Sequence, residues 1–300
     1  MPAAMPKRAR PRPSRGEPAV CASGGSLRFG MPSFRSRACA AVFLLCIAAS
    51  SAAAGATSVF LEELTWTELR DAIRAGKSTV IVPVGGTEQT GPHIVLGKHN
   101  VRVKVLAGKI AASLGNAFVA PVMAYVPEGS IDPPAAHMRF VGTISIPESA
   151  FETTLEYTAR SLRQAGFRDI VLIGDHGGYQ TSLTRVAARL DREWAASPVR
   201  VHAVLDYYDA VAKAFDPALR KQGFSDAEIG SHGGVSDTSL SLAVDPQLVR
   251  AERLHDSPAP GLADGVRGDP RRSTAAVGQA GVEMIVARTR DAIQKEVARH

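Results

Sequence analysis

Carboxylates and histidines cluster at three places in this 300-residue chain, and their types suit metal binding or acid–base catalysis. The clusters are Glu88 with His93 and His99, Asp175 with His176, and His232 with Asp237. Oxygen and nitrogen donors of this kind are ligands of zinc, manganese and iron in proteins. A histidine taken alone is more often a hydrogen-bonded loop residue, so the prediction of a site depends on the clusters lying together.

The first two clusters each follow a predicted buried strand. Residues 79–84 and 169–174 are short apolar runs, which is typical of parallel strands covered on both faces. The third cluster lies on a polar connection that follows a further predicted strand, residues 199–205. In an open α/β sheet the loops at the carboxyl ends of the strands converge on one crevice. We therefore expect the three clusters at one edge of the sheet.

Helical patterns alternate with the strands. Residues 66–75, 103–114, 148–165, 180–195 and 273–298 show helical spacing of apolar residues, and residues 118–122 form a further predicted strand. This βαβ alternation predicts a three-layer α/β/α fold with a mostly parallel sheet. The long irregular stretch at residues 124–142 is expected to form a wall of the site.

The amino-terminal region has the features of an export signal. Residues 1–30 are rich in Pro, Arg, Ser and Gly and cannot form a core. From Met31 onward, arginines precede the uncharged run 38–49 and then small residues, which predicts a secretory signal peptide cleaved near Ala54. We expect translation to start at Met31 and a periplasmic or secreted product. Residues 55–300 would then form a single α/β domain.

Charge and cysteine content narrow the function classes. The net charge of +6 arises in the leader, since residues 1–37 hold eight Lys or Arg and one Glu. The remaining chain is close to neutral, so neither nucleic-acid binding nor membrane contact after signal cleavage is expected. All three cysteines, Cys21, Cys39 and Cys46, also precede the domain. The domain therefore has no thiol nucleophile and no disulfide.

Three familiar catalytic motifs are missing from the sequence. No Gly-x-Ser-x-Gly turn is present, so a serine hydrolase is not indicated. The chain also lacks His-Glu-x-x-His, and no Gly-x-Gly-x-x-Gly follows the first strand. Zincin and dinucleotide-binding functions are not indicated either.

Four motifs in order resemble the creatininase (creatinine amidohydrolase) family, over about residues 66–250. They are residues 84–97, 142–145, 166–178 and 232–239. The resemblance implies a three-layer α/β fold, often hexameric. It also implies a metal-dependent hydrolase site that acts on cyclic amides, formamides and related C–N bonds.

The resemblance assigns roles to four of the clustered residues. Glu88 and His176 match metal-binding residues of the family, and His232 matches a catalytic histidine. Asp237 stands where the family has a glutamate before Thr-Ser.

Three positions depart from the family pattern. Thr90 replaces a second metal-ligating histidine, His99 replaces an aspartate that bridges two metals, and Gly178 replaces a glutamate. A carboxylate can bridge two cations through its two oxygens, whereas a neutral imidazole offers one lone pair. These departures argue against a binuclear centre, and creatinine itself is not expected as the substrate.

We therefore predict one divalent cation per chain, zinc, manganese or iron, held by Glu88, His99 and His176. Asp237 or Asp175 is expected as a fourth ligand or as the partner of a ligand. A water activated by the cation would attack the amide carbon.

Other residues are expected to assist the reaction or to contact the small-molecule substrate. His232 or His93 would protonate the leaving nitrogen, and Asp175 is a further candidate for proton transfer. The predicted substrate contacts are Thr90, His137, Thr143, Gly178 and Tyr207.

The sequence thus predicts an exported metal-dependent amidohydrolase acting on a small cyclic amide or formamide-type substrate, and a homo-oligomer, by resemblance a hexamer. Two alternatives stay open at this point. One is a non-catalytic periplasmic binding or scaffold protein on the same fold. The other is a metal-free enzyme that uses His176 and Asp175 as acid and base.

Overall fold

The computed structural model describes residues 58–255 and 258–299. The predicted leader, the start at Met31, the cleavage near Ala54 and the export that would follow concern residues outside these ranges. They stay predictions, as does the assignment of residues 55–300 to one domain. Within the described ranges no helix has both the length and the apolar character needed to cross a bilayer.

Four parallel strands form the sheet of the described chain, in the spatial order β2-β1-β3-β4. They are β1 (Thr79–Val84), β2 (Ala117–Val119), β3 (Asp169–Gly174) and β4 (Arg200–Ala203). Every residue of β1 is buried, as expected for a central parallel strand. Val84 pairs with Gly174 in the register of β1 and β3. The loops that leave these two strands therefore start side by side.

Helices cover both faces of the sheet. The α-helices are α1 (Trp66–Arg74), α2 (Lys98–Leu114), α3 (Glu148–Ala165), α4 (Gln180–Glu193), α5 (Asp206–Ala210), α6 (Asp216–Lys221), α7 (Asp226–Ile229), α8 (Val235–Val244) and α9 (Ala275–Val297). A π-helical turn, Val211–Phe215, joins α5 to α6. Short 3-10 turns occupy Leu61–Glu63, Ala136–Arg139, Gly177–Tyr179, Pro246–Leu248, Ala251–Arg253, Leu262–Asp264 and Pro270–Arg272.

Two apolar layers lie on opposite faces of the sheet. Alternate residues of a strand point to opposite faces, so Ile81 packs in the layer formed with α2, α8 and α9. Its neighbour Val82 packs in the layer formed with α3 and α4, against which α1 also packs. The predicted three-layer α/β/α fold with a parallel sheet is therefore confirmed.

Residues 206–244 differ most from expectation. The sequence suggested a polar connection, but the structure has α5, the π-helical turn, α6, α7 and α8 there. The serines and threonine of α8 are buried rather than solvated, and Ser241 Oγ donates a hydrogen bond to the carbonyl of Asp237, one turn earlier. Hydroxyls that bond within their own helix can be buried without other partners. Asp237 thus lies in the first turn of a helix, and the prediction of a third strand-end cluster is wrong.

Close contact between α8 and α9 holds this helix in place. A Cβ added to Gly278 of α9 would lie 1.8 Å from the carbonyl oxygen of Ser239 in α8. We expect Gly278→Ala to lower the free energy of unfolding by about 3 kcal/mol, despite alanine's better helix propensity, because backbone must move. Urea denaturation measures the change. Gly261→Ala, where a Cβ would meet no atom within 4 Å, is the control and should change little. Equal stabilities of the two variants would contradict the close approach.

Candidate active site

Tyr179 joins the two strand ends that carry the first two clusters. Its hydroxyl accepts hydrogen bonds from the backbone N–H groups of Asp175 and His176, at 3.1 and 3.0 Å. The same hydroxyl lies 2.8 and 2.6 Å from the carbonyl oxygens of Val84 and Gly85, to which it donates. The loop after β3 is thereby fixed against the end of β1.

Four side chains could hold a metal ion together, because one potential ligand atom from each lies within 4.8 Å of the others. We call these residues the donor group: Glu88, Glu128, His137 and His176. Glu88 Oε2 lies 3.2 Å from His137 Nε2 and 3.4 Å from His176 Nε2. In the described part of the chain, neither Glu88 Oε2 nor either oxygen of Glu128 has a hydrogen-bond partner, although all three are buried. Buried polar atoms are nearly always paired, so these orphan oxygens require an explanation.

The protonation states of the group favour a cation. Burial and the nearby charge of Glu88 raise the pKa of Glu128 to about 9. Burial lowers the pKa of His176 to about 3, and it also lowers the pKa of His137. Both imidazoles are thus neutral near pH 7 and keep a lone pair. Glu128 is protonated near pH 7 when no cation is bound, and a cation would displace that proton. Two neutral nitrogens and two carboxylates would then form a donor set that fits zinc, manganese or iron.

Three basic residues of α2 face three acidic residues behind this group. The contacts are His99 Nδ1 to Asp175 Oδ2 at 2.5 Å, His99 Nε2 to Glu88 Oε1 at 2.6 Å, Arg102 Nε to Asp175 Oδ2 at 2.8 Å, Arg102 Nη1 to Asp237 Oδ1 at 2.7 Å, and Lys98 Nζ to Asp237 Oδ2 at 2.5 Å. We call these six residues the buried charge network.

The network keeps its carboxylates ionised. Burial alone would raise the pKa of Glu88, but the charges of His99 and Lys98 hold it well below its usual value. Lys98 and Arg102 lower the pKa of Asp237 in the same way. Both ring nitrogens of His99 lie within hydrogen-bonding distance of carboxylate oxygens, and Arg102 Nη2 lies 3.3 Å from His99 Nδ1 as well. His99 is thus held within the network from both sides of its ring.

The structure divides the residues of the predicted ligand set between two neighbouring groups. Glu88 and His176 lie in the donor group, as expected from their strand ends, whereas His99 and Asp237 lie in the buried charge network. Asp175 is there as well, and it also accepts a hydrogen bond from Tyr207 at 2.7 Å. The oxygens and nitrogens of these side chains contact one another in the structure, and the metal-binding roles predicted for His99 and Asp237 stay predictions.

Glu128 and His137 complete the group from the irregular stretch at residues 124–142. The stretch is predicted from the sequence to form a wall of the site, with His137 as a substrate contact. Glu128 is absent from that prediction, because a single glutamate between Pro127 and Gly129 carries no motif. Its one sequence signal is the position of an acidic residue in a long loop.

Two cavities meet at the donor group. The inner cavity, about 210 Å³, is lined by Glu88, the buried charge network and apolar residues of the segments from α5 to α9. The outer cavity, about 340 Å³, is lined by His137, Arg139, Arg267 and their neighbours. His176, His232 and Tyr208 line both cavities. A substrate bound here would therefore contact these three side chains.

The predicted proton donors lie in different surroundings. His232 Nε2 lies 2.9 Å from the carbonyl oxygen of Gln89, and its Nδ1 lies 3.9 Å from Glu88 Oε1. His93 is fully buried, and its Nε2 contacts the carbonyl of Gly233 at 3.0 Å. It lines neither cavity. His232 is placed to reach a substrate, whereas His93 holds the loop before α8.

Few of the predicted substrate contacts line a cavity. His137 faces the outer cavity and Tyr207 the inner one. Thr90 is fully buried, and Thr143 accepts a hydrogen bond from the backbone N–H of Gln89 at 3.2 Å. Gly178 packs beside the ring of His176, where a Cβ would lie 3.0 Å from that ring. Thr90, Thr143 and Gly178 thus shape the loops around the site.

The parallel strands, with a carboxylate–imidazole group at their carboxyl ends, define an α/β protein with a candidate metal centre. A family model described as creatinine amidohydrolase matches residues 62–293. The chain therefore belongs to the creatininase family, as the sequence resemblance predicted.

Individual relatives agree with this assignment. Creatinine amidohydrolase of Pseudomonas putida is 32% identical over 209 residues, which cover 67% of this chain and 77% of that protein. The mycofactocin precursor peptide peptidase of Mycolicibacterium smegmatis is 28% identical over 221 residues, covering 67% of this chain and 78% of that protein. A crystal structure of creatinine amidohydrolase is similar with a TM-score of 0.68 and 28% identity, covering 81% of this chain and 99% of that one. The predicted enzyme class, a creatininase-family amidohydrolase, is confirmed at the level of the family.

The buried charge network should contribute strongly to stability. Arg102→Met would leave Asp175 and Asp237 without their shared guanidinium, and we expect unfolding free energy to fall by about 3–5 kcal/mol. Denaturation in urea measures this loss. The control is Arg70→Met, which removes an exposed pair with Asp71 and should have little effect. A small effect of Arg102→Met would mean that the network is not needed for folding.

Proposed function

We propose that this protein is a metal-dependent amidohydrolase that cleaves the C–N bond of a small cyclic amide or formamide-type substrate. One divalent cation would be held by Glu88, Glu128, His137 and His176. The observation that carries the proposal is the set of buried, unpaired oxygens of Glu88 and Glu128 beside two neutral imidazoles. Without a cation, Glu128 keeps a proton near pH 7, because a second negative charge beside Glu88 is costly in a buried site. A bound cation would replace that proton.

The relatives support a metal and C–N hydrolysis. Solved creatininases include one described as a zinc–zinc type and one described as a manganese form, both with a TM-score of 0.66 and 28% identity. The two relatives compared above are named an amidohydrolase and a peptidase, and both names denote cleavage of an amide-type C–N bond.

A single cation is consistent with the charges already present. Lys98 and Arg102 are ion-paired beside the donor group, and His99 donates to Glu88. These positive charges lie on the side of Glu88 that faces away from the donor group. A second cation there would meet repulsion from them and would find no free carboxylate oxygen.

His232 is suited to move the proton of the reaction. A carbonyl oxygen only accepts hydrogen bonds, so the 2.9 Å contact with the Gln89 carbonyl supports a His232 tautomer with the proton on Nε2 and a lone pair on Nδ1. Burial and the charge of Lys98 lower the pKa of His232 to about 4, so the ring is neutral near pH 7. Its Nδ1 can accept a proton from the attacking water and return it to the departing nitrogen. The cation, when bound, would polarise the carbonyl and lower the pKa of that water.

The proposal also includes the localisation, the oligomeric state and the partners of the protein. We propose export to the periplasm or the medium, on the strength of the signal-peptide pattern before Ala54. A homo-oligomer, by resemblance a hexamer, a small-molecule substrate and the absence of nucleic-acid and membrane partners are proposed on the same sequence grounds.

Metal content tests two ligand sets against each other. One is the set proposed from the structure, and the other is the set predicted from the sequence. We expect about one metal per chain in the parent, none in Glu128→Gln, and retention in Asp237→Asn, because Glu128 has free oxygens and Asp237 does not. Elemental analysis after purification without chelator measures this, with circular dichroism to verify folding. Loss of metal in Asp237→Asn alone would restore the sequence-based set. Two metals per chain would contradict the mononuclear centre.

Activity tests the catalytic part of the proposal. A screen of lactams and formamides should identify an amide that is turned over by the metal-loaded protein. We expect His232→Gln to lower kcat by about 100-fold or more, since proton transfer contributes that much, while metal content is unchanged. Thr90→Ser, at a buried position that lines no cavity, is the control. Full metal occupancy without turnover of any amide would favour the non-catalytic binding protein.

A further inference from the structure

The outer cavity carries a positive charge that the reaction does not use. Its charged side chains, apart from the histidines, are Arg139 and Arg267. Among the described residues no aspartate or glutamate lines it. The two arginines are exposed, and neither forms an ion pair with a carboxylate of the described chain.

Arg267 is held in place by the backbone of the candidate catalytic histidine. Arg267 N–H donates to the carbonyl of His232 at 2.8 Å, and His232 N–H donates back at 3.2 Å. Val266 beside it is buried, and a Cβ added to Gly230 would lie 1.9 Å from the Arg267 carbonyl oxygen. This tight packing fixes the point from which the Arg267 side chain leaves the backbone. Its charge also lies close enough to His137 to help lower the pKa of that residue.

Arg139 lines the same cavity from a different segment of the chain. It ends the short 3-10 turn that carries His137, two residues away. Its Nε has one weak contact, 3.5 Å to the carbonyl of Ala136, so the guanidinium remains available to a ligand. Both arginines are thus tied to residues of the reaction site, one to His137 and the other to His232.

We propose that the substrate carries a carboxylate, which Arg139 and Arg267 bind in the outer cavity while the scissile amide lies between His176 and His232. The proposal rests on the proposed function for the reaction itself. A planar guanidinium pairs with a carboxylate through two parallel hydrogen bonds, which gives both affinity and orientation. A cation would balance Glu88 and Glu128, so the arginines make the complete site positive and attract an anionic amide.

The inner cavity is a poorer place for the substrate carboxylate than the outer cavity. Its cations, Lys98 and Arg102, are already paired with Asp175 and Asp237. A substrate carboxylate there would have to displace a buried ion pair, which is costly. The anion therefore belongs on the outer side, and the inner cavity is left for the uncharged part of the molecule.

A matched pair of small amides tests the proposal. N-formylglycine carries the carboxylate, and N-formylglycinamide has nearly the same size without the charge. Calorimetry gives the dissociation constant of each for the metal-loaded protein, or kinetics gives KM for a compound that is turned over. We expect N-formylglycine to bind about tenfold more tightly or better, the gain typical of a charge-assisted hydrogen bond. That preference should vanish in the double variant Arg139→Gln/Arg267→Gln.

Controls separate the possible outcomes. Arg192→Gln, an exposed arginine of α4 outside both cavities, should keep the preference. Inorganic phosphate that binds more tightly than N-formylglycine, and depends on the same arginines, would overturn the assignment to a carboxylate. An equal preference in parent and double variant, or none in the parent, would overturn the anion site. If no amide is hydrolysed yet the arginine-dependent preference is present, the anion site stands and the proposed function fails.

Discussion

The site depends on one interaction: basic residues of α2 neutralise the buried carboxylates of Glu88, Asp175 and Asp237. Lys98 and His99 lie in the first turn of that helix, where the helix dipole disfavours positive charge. The facing carboxylates offset this, and each carboxylate in turn is stable in the interior only because it is paired. The network joins the loop after β1, the loop after β3 and the start of α8. Three segments that are distant in sequence are thereby held at one edge of the sheet.

The network also decides which atoms remain for chemistry. His99 engages Glu88 Oε1, so Oε2 is the oxygen that faces the donor group. His99 itself lies between Glu88 and Asp175, and both of its ring nitrogens are engaged there. Burial then keeps His137, His176 and His232 neutral, and their lone pairs stay free for a cation or a proton. The charged network contacts Glu88 Oε1, whereas the neutral imidazoles of His137 and His176 lie beside Oε2.

The sequence predicted the structure best where burial sets both the local residue pattern and the secondary structure. The runs at 79–84 and 169–174 are apolar because they are covered on both faces, and both strands begin and end where predicted. Glu88 and His176 follow those strands and therefore could be assigned to the site. Asp237 could not be placed correctly, because its serine-rich surroundings look like a loop unless the packing of α8 on α9 is known. Glu128 could not be found either, since a long loop without regular structure gives no distance to the strand ends.

The long stretch at residues 124–142 contributes the part of the candidate site that the strand ends do not supply. Strand ends supply Glu88 and His176, and these positions are fixed by the sheet. The stretch supplies Glu128 and His137 to the donor group and Arg139 to the outer cavity. Loops on a rigid scaffold can change without loss of the core. Because one loop contributes both the donors and the cationic wall, a change in this loop would alter metal binding and substrate charge preference together.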